Sequence, residues 1–300
     1  MHDKELRMLT RRSLSLLGLS GVAALVGFRP ALAEGAANLN ISPHRIVFDP
    51  NTRVSTVLVF NTGDAPASYN IELIDRVMAA DGSLISLADA QKAPALADAV
   101  ARLKTAREMV TFTPRRVVLA PGESQTIRIR VLRPDGLAPG DYRTHLTVTA
   151  VPPQDQGLTA DQAAAQSDGS ISVRLTALFA ISIPLVVRQG PADVAAALEN
   201  VRYRPAAGAA APAGTLSLEI ARKGASSLYG DIAVRSAKDG PRGKPLGALG
   251  GLGVYAEIDR RSVQVPLSRP LTPGEIVTIT YTDEDSKVGQ IIAGTSYKVG

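Results

Sequence analysis

From Leu39 onward, apolar and polar positions fall into short runs rich in Val, Ile and Thr, separated by Pro, Gly, Asn and Asp. Leu39 to Phe48, Val54 to Asn61, Ser68 to Asp75, Val110 to Thr113, Ser124 to Val131 and Tyr142 to Val151 are such runs. Within Thr126-Ile127-Arg128-Ile129-Arg130-Val131 the character switches at every step, as in a strand with one face on a core and the other in water. The breaks are turn signals: Asn61-Thr62-Gly63-Asp64, Asp81-Gly82, Ala120-Pro121-Gly122-Glu123 and Ala138-Pro139-Gly140-Asp141. Many short strands at regular spacing predict an antiparallel sandwich rather than a parallel α/β sheet. Ala95 to Met109 departs from the pattern. Leu96, Val100 and Leu103 fall at helical spacing in an Ala-rich stretch and predict a short surface helix.

Residues 152–170 read as a long polar loop, followed by a long strand, Ile171 to Arg188. Gln189-Gly190-Pro191 then breaks the chain, and a domain boundary is placed there, giving domains of 34–189 and 190–300. Beyond it the same pattern returns in Thr215 to Arg222, Tyr229 to Ser236, Val254 to Glu257, Ser262 to Pro266, Ile276 to Thr282 and Ile292 to Val299, with loose Ala, Pro and Gly segments at 205–214 and 237–253. The fold class expected is all-β, two sandwich domains in series.

The long strand is the most informative segment. Ile171, Val173, Leu175, Ala177, Phe179, Ile181, Ile183 and Leu185 form an unbroken apolar row at alternate positions. From Ile171 to Leu185 such a strand would reach roughly 46 Å, more than twice the usual length. Two readings stay open. Alternation is the ordinary mark of a half-buried strand. Alternatively, the first half, Ile171 to Ala177, offers its apolar row and free backbone groups to another protein.

The N-terminal segment changes the charge picture. Lys4, Arg7, Arg11 and Arg12 precede an apolar stretch from Leu14 to Phe28, and Ala31-Leu32-Ala33 follows. This is the pattern of a secretory signal peptide over residues 1–33, with an exported mature chain beginning at Glu34 and no stable membrane insertion after cleavage. Thr10-Arg11-Arg12-Ser13-Leu14 leaves both the general secretory and the twin-arginine routes open. Five positive and two negative side chains leave with residues 1–33, so the net charge of +5 falls to +2. The basic character therefore owes much to the leader, and with no Trp and no basic run interleaved with rings, nucleic acid is not an expected partner. Cysteine is absent, so core packing alone must hold the fold, and thiol chemistry is excluded.

Catalytic and metal-binding patterns are missing as well. The histidines are His2, His44 and His145, without metal-ligand spacing. Asp283-Glu284-Asp285 fails the calcium-loop pattern, because Lys287 occupies a ligand position and Val288 stands where Gly is needed; it reads as a solvated hairpin turn. Gly240-Pro241-Arg242-Gly243-Lys244-Pro245 lacks the spacing and the following Ser or Thr of a phosphate loop. No nucleophile–base–orienter set is visible, so neither an enzyme nor a cofactor is expected.

Several segments, in order, resemble a known family. They are Ser42-Pro43-His44-Arg45-Ile46-Val47-Phe48, then Phe60-Asn61-Thr62-Gly63, then Thr113-Pro114-Arg115-Arg116-Val117-Val118-Leu119-Ala120-Pro121-Gly122-Glu123-Ser124-Gln125-Thr126-Ile127-Arg128. Gly140-Asp141-Tyr142-Arg143-Thr144-His145-Leu146 and Ile181-Ser182-Ile183-Pro184-Leu185-Val186-Val187-Arg188 complete the set. Together they resemble the periplasmic pilus (fimbrial) assembly chaperones of the chaperone–usher pathway. The resemblance implies two immunoglobulin-like domains set at an angle. It implies a long edge strand, 171–188, that completes exported pilin-like subunits by donor-strand complementation, with an outer-membrane usher as a further partner. Ile171, Val173, Leu175 and Ala177 would face the subunit, and Arg45 would bind its terminal carboxylate in the cleft between domains. The family's second anchoring cation, a lysine on the long strand, falls at Ser182, which supplies no charge. Ser182→Lys is therefore expected to tighten binding. The competing expectation is an exported structural or adhesive sandwich protein without chaperone activity.

Overall fold

The computed structural model describes residues 39–152, 179–206 and 213–300. Ile171, Val173, Leu175 and Ala177, and residues 1–33, expected to be a leader, lie outside the described residues. The fold is all-β, two immunoglobulin-like sandwiches, each closing on its own apolar cluster.

The first strand run divides. Leu39–Ser42 (β1) and Ile46–Phe48 (β2) are separated by Pro43, His44 and Arg45. Proline offers no N–H to a ladder, so pairing lapses there and the chain crosses to the opposite sheet. β1 pairs antiparallel with Val54–Asn61 (β3), whereas β2 pairs parallel with Ala180–Gln189 (β11). Arg45 sits at that crossing. The remaining strands of this sandwich are Ala67–Ile74 (β4), Val110–Thr113 (β7), Arg116–Leu119 (β8), Ser124–Val131 (β9) and Gly140–Val151 (β10). The two sheets have the orders β1-β3-β9-β7 and β2-β11-β10-β4-β8. Phe48, Val57, Val59, Tyr69, Ile127, Ile129, Leu146, Ile183 and Leu185 fill the space between them. Asn61, fully buried, secures the turn after β3 by donating to the carbonyls of Ala65 and Leu119 and accepting from the N–H of Gly63.

The second sandwich sets Ala196–Arg204 (β12), Thr215–Arg222 (β13) and Arg260–Pro266 (β16) against a sheet of order β15-β14-β17-β18. The latter comprises Leu228–Ser236 (β14), Gly247–Val254 (β15), Ile276–Asp283 (β17) and Ile291–Lys298 (β18). β15 corrects the expectation of a loose segment over 237–253. Glycine there permits close approach: a Cβ on Gly247 would lie 2.6 Å from the Pro266 carbonyl oxygen. Between β4 and β7, a hairpin of Arg76–Met78 (β5) and Leu84–Ser86 (β6) leads into Leu87–Ala90 (α1) and Ala97–Arg102 (α2); the helix expected over Ala95 to Met109 is shorter, confined to α2 with single helical turns at Pro94–Leu96 and Arg107–Met109. Val77, Met78, Ala90 and Ala99 join the core of the second sandwich although they lie within the first domain's sequence range. The Ser262 N–H donates to the Ala80 carbonyl, and Arg102 holds both carboxylate oxygens of Asp259 at 2.8 and 2.9 Å. The insertion thus ties the two sandwiches together.

Candidate functional site: a charged cleft between the sandwiches

Strand β10 explains how charge comes to be buried. Its even-numbered residues Leu146, Val148 and Ala150 face the first core. On the opposite face stand Asp141, Arg143, His145 and Thr147, which are also buried. Alternation normally sends such a face to water; here the second sandwich covers it. The register of β10 against β11 brings Asp141 opposite Arg188, His145 opposite Pro184 and Thr147 opposite Ser182. One sheet face therefore presents acids, cations and hydroxyls to the neighbouring domain.

Each charge meets a partner chosen by the tertiary fold. Arg188 grips Asp141 through Nε at 2.8 Å and Nη2 at 3.1 Å, and its Nη1 donates to Ser286 Oγ at 2.6 Å. The Ser227 N–H adds a third bond to Asp141 at 2.8 Å. Burial alone would raise the Asp141 carboxyl; the Arg188 bonds and charge, with the Ser227 N–H, outweigh it and hold the group below the ordinary carboxylate range. Arg143 pairs with Glu257 of the second sandwich, and its guanidinium lies 3.8 Å from the centre of the Tyr255 ring. Glu257 also accepts from the Met78 N–H at 3.1 Å. His145 is fully buried. Burial first, then the guanidinium groups of Arg143, Arg76 and Arg45, push it well below the usual imidazole value, so it is neutral.

Arg45, the first of the sequence-expected residues, lies in this cleft with its side chain 9% exposed. Its Nη2 donates to Asp285 at 3.1 Å, and the guanidinium stacks 4.6 Å from the Tyr229 ring centre. Nε and Nη1 are buried without a partner. A buried cation with N–H groups unspent favours an added anion. Ser182, the second, lies on the same sheet and bonds Arg76 Nε at 3.2 Å and Thr147 Oγ1 at 2.8 Å. The structure thus brings Arg45 and Ser182 to one cleft.

The acidic turn is not the solvated hairpin expected. Asp283 is fully buried and its Oδ2 accepts from the N–H groups of Ser286 and Lys287, while Asp285 pairs with both Arg45 and Arg188. Only Glu284 of the three faces solvent. The turn is drawn inward because two arginines of the first sandwich need counter-charges. Arg76, Asp141, Arg143, Arg188, Tyr229, Tyr255, Glu257 and Asp285 were not assigned from the sequence. Titratable residues at alternate positions of a long apolar-patterned strand, Asp141, Arg143 and His145, were the available signal. Among the described residues no group of acidic or imidazole side chains is arranged to hold a metal, and no helix is long and apolar enough to cross a membrane.

No protein-family model and no curated protein sequence matches the chain. Among solved structures it is similar to the Pseudomonas aeruginosa CupB2 chaperone, at 12% identity over 87% of this chain and 100% of that one, with a TM-score of 0.42. The E. coli chaperone DraB gives 16% identity over 88% and 98%, with a TM-score of 0.43. A structure of the Salmonella enterica SafA pilin in complex with the SafB chaperone gives 14% over 87% and 96%, at 0.43. The chain is similar in fold to pilus chaperones, at low sequence identity. Superposition scores of this size leave the functional reading to rest on the residues themselves.

Proposed function

We propose that the chain is a periplasmic chaperone that holds exported pilus- or fimbrial-type subunits by lending them the strand that runs from Ile171 into β11. The edge of β11 carries this reading. β2 pairs only with Leu185 to Val187, so among the described residues Ala180 to Pro184 has a partner strand on the β10 side alone. An unpaired edge of N–H and C=O groups is a template for a further strand. β2 runs parallel to β11 and starts immediately after Arg45. A client strand added in line with β2 would share its direction and end at Arg45. Its terminal carboxylate would meet the unspent guanidinium nitrogens, whereas a strand of opposite sense would bring an ammonium among arginines.

Upstream, Ile171, Val173, Leu175 and Ala177 keep the parity of Ile183 and Leu185, which face the core. In the proposal they fill the open core of an incomplete subunit, each large one contributing about 1.5–3 kcal/mol before ordering costs are subtracted. The reading needs no cofactor and no catalysis. It takes residues 1–33 as a cleaved leader and an outer-membrane usher as the receiver of the complex.

The test is calorimetric titration with an acetylated peptide of alternating Val and Thr, opened by two lysines for solubility and ending in a carboxylate or an amide. Wild type should bind the carboxylate form at least about tenfold more tightly, the size of one charge-assisted contact. Arg45→Ala should abolish the preference. Val173→Glu with Leu175→Glu should abolish binding of both forms while leaving the circular dichroism unchanged. Equal affinity of wild type for the two forms, or no binding of either, overturns the reading.

A further inference from the structure

Ser182 stands where the resemblance expects a cation, yet a cation is present at that point. Arg76 delivers it from another segment. β4 brings Ile74 level with His145 on the shared sheet, and Arg76 follows two residues later, so its side chain turns to the same face. There its Nε donates to Ser182 Oγ at 3.2 Å, and Ser182 is braced by Thr147 Oγ1 at 2.8 Å. Arg45, Arg143 and Arg188 each have a carboxylate partner. Among the described residues Arg76 makes no ion pair, and it is only half-buried.

The register places Arg76 close to Arg45. β2 pairs Ile46 with Leu185, so Arg45 stands beside Pro184. Ser182 and Pro184 share one face of β11, two residues and roughly 6.6–7 Å apart. The two guanidinium groups thus approach one short stretch of the open edge from different sides, Arg45 deep in the cleft and Arg76 nearer solvent. A carboxylate has two oxygens and lone pairs enough for two arginines.

We propose that Arg76 is the second cation of the carboxylate site, positioned by the Ser182 and Thr147 hydroxyls, and that with Arg45 it selects a client strand ending in a free carboxylate. This inference rests on the function proposed above. The second charge comes here from the segment following β4, and serine on the strand is the size that leaves it room. Lysine at 182 would set an ammonium where the Arg76 guanidinium already lies, and like charges would displace one another. Ser182→Lys therefore exchanges one cation for another, in contrast to the tightening expected from the sequence.

The same peptide pair separates this inference from the broader reading. Arg76→Ala should weaken binding of the carboxylate peptide about tenfold and leave the amide peptide unchanged. Arg76→Lys should keep most of the preference, which guards against a mere folding defect. Ser182→Ala should reduce the preference less than Arg76→Ala does, and Ser182→Thr should restore it. Ser182→Lys should give no tightening over wild type. If wild type prefers the carboxylate and Arg76→Ala keeps the full preference, Arg76 has no part in the site although the anchoring by Arg45 stands. If wild type itself shows no preference, the carboxylate site fails as a whole.

Discussion

Glu257→Ala tests whether the cleft is held by its buried charges. Arg143 and Glu257 are 4% and 3% exposed, and they join the first sandwich to the second. Removing the carboxylate leaves the Arg143 guanidinium with the Arg76 carbonyl at 2.9 Å, the neutral His145 ring at 3.3 Å and the Tyr255 face. None of these carries a negative charge. Breaking a buried pair by deleting one partner costs about 3–5 kcal/mol, because the remaining charge stays desolvated. The Met78 N–H also loses its acceptor. An orphaned buried N–H costs about 1–3 kcal/mol, and the two effects share one group and do not simply add. A loss of about 4 kcal/mol is expected, a large part of the roughly 5–15 kcal/mol by which ordinary proteins are stable. With no Trp in the chain, urea unfolding is best followed by far-ultraviolet circular dichroism. The companion variant Arg143→Met with Glu257→Leu removes both charges and should recover most of the loss, since apolar replacement of a buried pair is often neutral or stabilising. Glu257→Ala within about 1 kcal/mol of wild type, below the cost of even one orphaned group, would refute the reasoning. So would a double variant no more stable than the single one.

Two further perturbations probe the same molecule. Burial and three guanidinium groups keep His145 neutral in the folded chain, whereas an unfolded imidazole titrates near pH 6.5. Below that pH the unfolded chain binds the proton and the folded one does not, so stability should fall with pH, by about 1.4 kcal/mol one unit lower. His145→Gln should remove that slope between about pH 7.5 and 5.5, and an unchanged slope in denaturant unfolding would assign it elsewhere. In the second sandwich, a Cβ on Gly230 would run into the Thr282 carbonyl across β14 and β17. Gly230→Ala should cost about 1–3 kcal/mol by overpacking, and a melting temperature equal to wild type contradicts the close approach.

The strands were legible in the sequence because their signal is local. Thr126 to Val131 alternates, and β9 buries Ile127, Ile129 and Val131 while exposing the residues between. Turn chemistry at Asn61 to Asp64 and Ala120 to Glu123 marked where ladders stop, since proline and glycine act through their own backbone. Where local rules conflicted with packing, the reading failed: the glycines of β15 look like a loop until a neighbouring backbone requires their missing side chains. The site was less legible still. Arg45 was singled out through a motif, but its placement depends on Pro43 releasing the chain to the opposite sheet. Its stacking on Tyr229 and pairing with Asp285 depend on a domain two hundred residues away. Asp283 and Asp285 read as solvated because acidic turns usually are; the turn's own N–H groups hold Asp283 inside, and two arginines across the cleft hold Asp285. Arg76 carried no signal at all, for nothing within its own segment reveals that Ser182 lies beside it. Periodicity tells which residues share a face of a strand. Only the path of the chain in space decides whether water, a second domain or another protein covers that face.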